Sequence, residues 1–391
     1  MNANRRIRVM EIIARMNVGG PATQVMGLYR GLDRDAFDHR LYTGSVGEGE
    51  SDRLRDADVP VRHVPGLHRA VSAGGDLRAL AFLVQEMRDF RPDVVHTRTS
   101  KAGVLGRLAS AVSGVGAARA HVYHGHLLHG YFSPAARAAY AGTERLLALM
   151  TRRLVTVGAK VRDDLLAAGI GRPEQYLVIP PGVAPEPAPP RDVARAALGL
   201  PPDAPVVAFV GRLTQIKRPD RLAATAEIVL RRFPGCRFVV CGGGELREEL
   251  ERRVRDARGS FAFLGWRDDV ETVYAAADVV LLTSDNEGTP LSLVEAGMAG
   301  TPVVATDVGS VAEVVRDGET GLLARPDAAE LAERTERLLA DPALARRMGA
   351  AAKEWTTSAF GVRRLVADTE ALYRSLRDPP AGGAPAGGAA R

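Results

Sequence analysis

VVLLTSDNEGTPLSLVEAGMA, running from Val279 to Ala299, is the stretch that decides the fold. Val279 to Leu282 is a short, wholly apolar run, as in a buried strand. A polar loop follows, and Gly288 and Pro290 suit a tight turn that leads into the first turn of a helix. Strand, loop and helix in that order make the repeating unit of a parallel α/β sheet.

The same unit recurs outward in both directions. Upstream, Val206 to Val210 ends in Gly211 before a helix from Arg218 to Phe233, and Arg237 to Cys241 runs into Gly242-Gly243-Gly244 and a helix to about Ala257. Ala262 to Leu264 and Val303 to Ala305 read as further strands. Before the proline-rich segment Pro180 to Pro190 the pattern appears a second time. Arg8 to Ile13, Asp38 to Thr43, Val61 to Val64, Asp93 to His96, Ala118 to Tyr123, Arg153 to Val157 and Tyr176 to Ile179 read as strands. Between them lie helices near Ala22 to Leu32, Leu77 to Asp89 and Lys101 to Val112.

The expected fold class is therefore α/β, with two Rossmann-like domains whose parallel sheets face a central cleft. The expected boundaries are 1–183 for the first domain, 184–203 for an extended linker and 204–355 for the second domain. A terminal helix over 356–377 would cross back to the first domain, and 378–391 reads as a disordered tail. In such sheets ligands bind beyond the carboxyl ends of the strands. Two facing domains would set their loops across one cleft.

Composition narrows the function classes. The 391 residues are 46% hydrophobic and 25% charged, ample for two cores. No apolar stretch approaches the roughly 20 residues a membrane span needs. Glu11 and Arg15 interrupt the apolar run near the N-terminus, so no signal peptide is expected and the chain is placed in the cytoplasm. The formal charge of +5 is spread among acidic residues without a basic block, which argues against nucleic-acid binding. It leaves room for peripheral contact with the inner membrane face. Cys236 and Cys241 lie five apart at one strand and point to opposite faces, so neither a disulfide nor a metal pair is expected.

The candidate chemistry sits at strand ends. Glu287 and Glu295 stand eight positions apart, one in the loop and one on the helix, and could accept hydrogen bonds from vicinal hydroxyls of one ligand. In isolation a helix cap with a surface glutamate is the favoured reading of the pair. Arg212 and Lys217 follow a strand and suit a diphosphate, whose leaving group they would stabilise. Lys217 is one of only four lysines in the chain. Gly19-Gly20-Pro21 lets backbone approach a phosphate, yet no dinucleotide or P-loop fingerprint is present. Three of the eight histidines, His124, His126 and His129, cluster beside Tyr131 and Phe132. They lack a nearby Cys or Glu to complete a zinc set, so a polar sugar or acceptor pocket with an aromatic platform is the better reading.

Together these motifs resemble the retaining glycosyltransferases of family four, the group 1 family, over nearly the whole chain to about Leu376. Phe263 to Leu323 is the most specific part, with Gly265-Trp266, Asp285 to Glu295, Gly300 to Ala305 and Gly318 to Leu322 in order. The resemblance implies the GT-B fold and retaining transfer from a nucleotide diphosphate sugar without metal or cofactor. It implies Glu287 at the donor sugar, Glu295 at the ribose, Gly288, Thr289, Pro290 and Leu291 at hydroxyls and phosphate, and Arg212 and Lys217 at the diphosphate. Gly20 would sit near the phosphates, His124 near the sugar, and Trp266 and Arg267 at the base. His124, Glu287, Arg212 and Lys217 form the expected catalytic set.

Arg98, Lys101, His126 and Tyr131 are the expected acceptor-side residues. Arg98 stands where His is usual, Gly243 where Asp is frequent, and Thr289-Pro290 where Phe-Gly is frequent. The acceptor would be a hydroxyl of a saccharide, a lipid-linked saccharide or a small natural product, and the donor UDP-GlcNAc or UDP-glucose. A nucleotide-sugar epimerase on the same fold and a non-catalytic sugar-nucleotide protein are the competing expectations.

Overall fold

The first sheet holds β1 (Ile7–Ile13), β2 (Phe37–Thr43), β3 (Val61–His63), β4 (Val94–Arg98), β5 (Ala118–Tyr123), β6 (Arg153–Thr156) and β7 (Tyr176–Val178). All pair in parallel, in the order β3-β2-β1-β4-β5-β6-β7. The second holds β8 (Val206–Val210), β9 (Arg237–Cys241), β10 (Phe261–Gly265), β11 (Val279–Leu282), β12 (Val303–Thr306) and β13 (Gly321–Ala324), also parallel, in the order β10-β9-β8-β11-β12-β13. This computed structural model describes residues 5–17, 19–46, 59–68, 72–125, 134–184 and 186–378. His126 and Tyr131 lie outside the described residues, as do 379–391.

Both sheets reverse strand order once, between β1 and β4 and between β8 and β11. Such a switch point opens a crevice where adjacent loops diverge. β11 is buried along its whole length, as its uninterrupted apolar run requires. Cys236 and Cys241 are buried free thiols in separate core layers, and burial pushes them up to about 12 and about 11.

The expected single helix over 356–377 is in fact two. Pro342–Phe360 packs on Leu291–Ala299 in the second domain, and Val362–Arg377 packs on the first. Extended backbone at Gly361 separates them, so the crossing falls there rather than at 355. Leu365, Leu372, Tyr373 and Leu376 enter the core around Ile7, Val9, Leu28 and Val94. The two chain crossings touch. Val183 N–H donates to the Phe360 carbonyl at 2.8 Å, and Val362 N–H donates to the Val183 carbonyl at 3.1 Å. β13 was not anticipated as a strand. Its four residues follow directly on the Gly318–Thr320 turn.

Candidate active site

The two switch points face each other across a cleft of about 2630 Å³. Its second-domain wall begins at β8. Arg212 is exposed there and has no carboxylate partner among the described residues, while Lys217 ends a 3-10 turn. Lys217 Nζ lies 2.5 Å from Glu287 Oε1, which also accepts from Ser284 Oγ at 2.5 Å. Thr283 Oγ1 donates to the Lys217 carbonyl at 2.8 Å, tying the two loops together. Arg218 occupies the left-handed region, φ 52, and is held by Asp220 and Asp285. A strained non-glycine residue beside a candidate site is where local strain is commonly stored.

The glycine turn after β9 packs against this wall. A Cβ on Gly242 would stand 2.0 Å from the Gly211 carbonyl oxygen, so glycine is required there. A Cβ on Gly243 would stand 2.8 Å from Trp266 Nε1. The missing side chain gives the indole its place. Trp266 is half exposed and lines the cleft beside Arg267, whose guanidinium is clamped by Asp269. Deeper in, the buried Tyr274 donates its hydroxyl to Glu295 Oε2 at 2.8 Å and so orients that carboxylate.

Gly288 to Leu291 face the first domain. A Cβ on Gly288 would lie 2.7 Å from the His124 carbonyl oxygen, and one on Gly20 would lie 3.3 Å from Leu291 Cδ1. Thr289, expected at the donor through its backbone, lines the cleft, and its hydroxyl donates to the Val157 carbonyl at 2.8 Å in the turn after β6. Glu313, absent from the expectations, crosses the same gap. Its carboxylate accepts from Ala159 N–H at 2.7 Å and Lys160 N–H at 2.9 Å. It thereby caps the helix Ala159–Ala167 from the opposite domain.

On the first-domain side, His124 lines the cleft. Burial, then the Arg98 charge, hold its imidazole well below the usual range, so it is neutral. Lys101 lines the cleft and pairs with Asp76 at 2.6 Å. Arg98, expected to meet an acceptor, is 2% exposed and ion-paired to Glu11. β4 carries it inside the sheet edge, and it is not among the residues that line the cleft; its Nη1 stands 3.4 Å from His124 Nε2. Thr99, just after it, holds φ 64 at the cleft floor. Among the described residues no group of three or more His, Cys, Asp or Glu is arranged to hold a metal ion. No described helix is long and apolar enough to cross a membrane.

Comparison with known proteins agrees with this architecture. The family description "Glycosyl transferases group 1" matches residues 190–355, and "Glycosyl transferase 4-like domain" matches 19–182. The chain is 30% identical to the UDP-Gal:alpha-D-GlcNAc-diphosphoundecaprenol alpha-1,3-galactosyltransferase of Escherichia coli, covering 75% of this chain and 77% of that one. It is 34% identical to D-inositol 3-phosphate glycosyltransferase 1 of Catenulispora acidiphila, over 81% of each chain. Two further D-inositol 3-phosphate glycosyltransferases match over 58% and 53% of their own lengths. Among solved structures, Anabaena HepE in complex with UDP-glucose superposes with a TM-score of 0.78 at 22% identity, over 95% of this chain and all of that one. The names of these relatives do not favour an epimerase.

Proposed function

The chain belongs to the group 1 glycosyl transferases, which move a sugar from a nucleotide sugar to an acceptor, and on that premise we propose that it does so with retention of anomeric configuration and without a metal. The observation that carries the transfer itself is the convergence of Arg212, Lys217 and Glu287 on one cleft wall, opposite His124, while retention rests on the family resemblance.

Arg212 and Lys217 would take the diphosphate, and their charge would stabilise it as it leaves. The helix start at Leu291 adds backbone N–H groups and a favourable dipole for phosphate. Glu287 would accept from sugar hydroxyls once the donor displaces its contact with Lys217. Glu295, held by Tyr274, would take the ribose hydroxyls, and Trp266 and Arg267 would border the base. The first domain, with Lys101, would present the acceptor. The acceptor oxygen bonds to carbon 1 on the face from which the diphosphate departs, and a phosphate oxygen takes the hydroxyl proton. Holding both reactants on one face is chiefly a matter of position and charge.

UDP-glucose or UDP-GlcNAc is the proposed donor, supported by the UDP-glucose in the Anabaena structure and the UDP-sugar in the Escherichia coli relative's name. That name also supports a lipid-linked saccharide acceptor; a cyclitol phosphate is supported by the inositol-phosphate relatives. The test is nucleotide release from a panel of UDP-, GDP- and ADP-sugars by the full chain, repeated with Arg212→Ala and Lys217→Ala. Release from a UDP-sugar, lost in both variants, is expected. Variants that keep full nucleotide affinity and turnover would refute the site.

A further inference from the structure

Under the cleft floor the first sheet buries a polar cluster that the proposed transfer leaves unexplained. Glu11, at the middle of β1, is fully buried. Its Oε1 accepts from Arg98 Nε, and its Oε2 accepts from His39 Nε2 at 2.8 Å. Glu11 sits beside His96 in the β1–β4 register. His96 Nδ1 lies 3.9 Å from Glu11 Oε1 and 2.7 Å from Tyr373 Oη. Burial alone would raise the Glu11 carboxyl, but Arg98 and His39 outweigh it and keep it ionised. The far side of the same guanidinium reaches the active site, with Arg98 Nη1 standing 3.4 Å from His124 Nε2.

A guanidinium has five N–H donors and no lone pair to offer. The imidazole nitrogen that faces it must therefore be the acceptor. A neutral imidazole with a bare Nε2 carries its proton on Nδ1. His124 Nδ1 is buried and has no partner among the described residues, although the ring lines the cleft. A buried donor of this kind calls for an acceptor, and the cleft is where a ligand oxygen would supply one.

We propose that Glu11 and Arg98 are positioning residues: Glu11 fixes the Arg98 guanidinium, and Arg98 holds His124 as the neutral Nδ1–H tautomer, ready to donate to an oxygen of the bound sugar. This rests on the transfer reading above. In that reaction positive charge develops at the sugar carbon, and an imidazolium beside it would oppose the step. The groups that face His124 agree with a neutral ring. Arg98, His96 and Glu11 lie on the sheet side, Arg212, Lys217 and Glu287 lie across the cleft, and Lys160 and Asp164 pair with each other nearby. An exchange at Arg98 would thus alter His124 without removing any group that touches substrate.

The test is nitrogen NMR of the full chain labelled with ¹⁵N-histidine, with the His124 pair of signals identified by its loss in His124→Asn. In the native protein Nδ1 should be protonated and Nε2 unprotonated, unchanged from about pH 5.5 to 8.5. Arg98→Met should give a mixture of tautomers. With the donor panel's best substrate, its kcat should fall about tenfold, the worth of one hydrogen bond, with KM for the nucleotide sugar moved less than about threefold. Arg98→Lys keeps a cationic donor and should retain the native tautomer. A native protein with its proton on Nε2, or a folded Arg98→Met with unchanged shifts, overturns the proposal. Should Arg98→Met fail to fold, the native shifts and the Lys variant decide. The shifts are read without turnover. A protein that transfers no sugar overturns the proposed reaction, whereas the shifts alone decide the positioning pair.

Discussion

Lys217 and Glu287 meet at 2.5 Å in a pocket wall where both side chains are mostly buried. Removing either leaves the other charge without its partner and takes one stabilising group from the donor site. Lys217→Ala should lower kcat/KM by about 10²- to 10³-fold, the usual consequence of deleting one electrostatic stabiliser of a leaving group. Initial rates of nucleotide release measure it. These residues were legible in the sequence because charge directly after an apolar strand has little structural reason to be there. Glu11 and Tyr274 were not. Glu11 only interrupts an apolar run, and its role depends on Arg98, which is 87 positions away in the chain. Arg98 stands out in the sequence, but its ion pair with Glu11 does not, since a strand-end residue can face either the cleft or the sheet.

The histidines also set a pH dependence. His96 is lowered to about 3 by burial, then by the Arg98 charge; His121 and His124 are lowered well below the usual range by burial first. Between about pH 6.5 and 3 the unfolded chain binds protons at these sites and the folded chain does not, so stability falls as pH falls through that window. Each such histidine contributes a slope of up to about 1.4 kcal/mol per pH unit. Urea-unfolding midpoints from neutral pH down to pH 4 should fall steadily. A flat profile would contradict this.

At the scale of elements, the strands carried most of the legible information. Those of the first sheet lie within one or two residues of where the sequence places them; in the central strands the buried apolar residues of Ile7–Ile13 and Val94–Val95 mark them, while Val61–His63 and Tyr176–Val178 are short edge strands with little burial. The break at Gly361 was missed because the helical periodicity continues on both sides of it. The loop Glu287 to Leu291 was read as a donor site, yet part of it also forms the domain contact. Thr289 and Glu313 bond to the turn and helix start at Val157 to Lys160. Glu313→Ala removes an inter-domain helix cap and should cost the closed form about 1 kcal/mol. Small-angle scattering should show a larger mean radius of gyration for the variant than for the native chain. Identical curves would contradict the assignment. Gly288→Ala, whose Cβ would press on the His124 carbonyl, should widen the cleft in the same way.

At the scale of the whole molecule, the two halves of the proposed site lie on separate domains, so the proposed transfer calls for a closed cleft, and the chain crosses between the domains near Val183 and Gly361. These crossings are bonded to each other, so they form one pivot. A crosslink that holds the domains apart should leave nucleotide binding intact and abolish transfer, as the closure of a two-domain site requires. Retained transfer would show that one domain suffices. Retention of configuration is the central claim, and it can be tested without knowing the acceptor. The donor sugar is incubated with the full chain and a chelator, water serves as the slow acceptor, and proton NMR follows the anomer released first. From an α-linked UDP-glucose the α-anomer should appear first and then relax towards the β-anomer. The β-anomer appearing first, or release that stops when the chelator is added, would contradict the account.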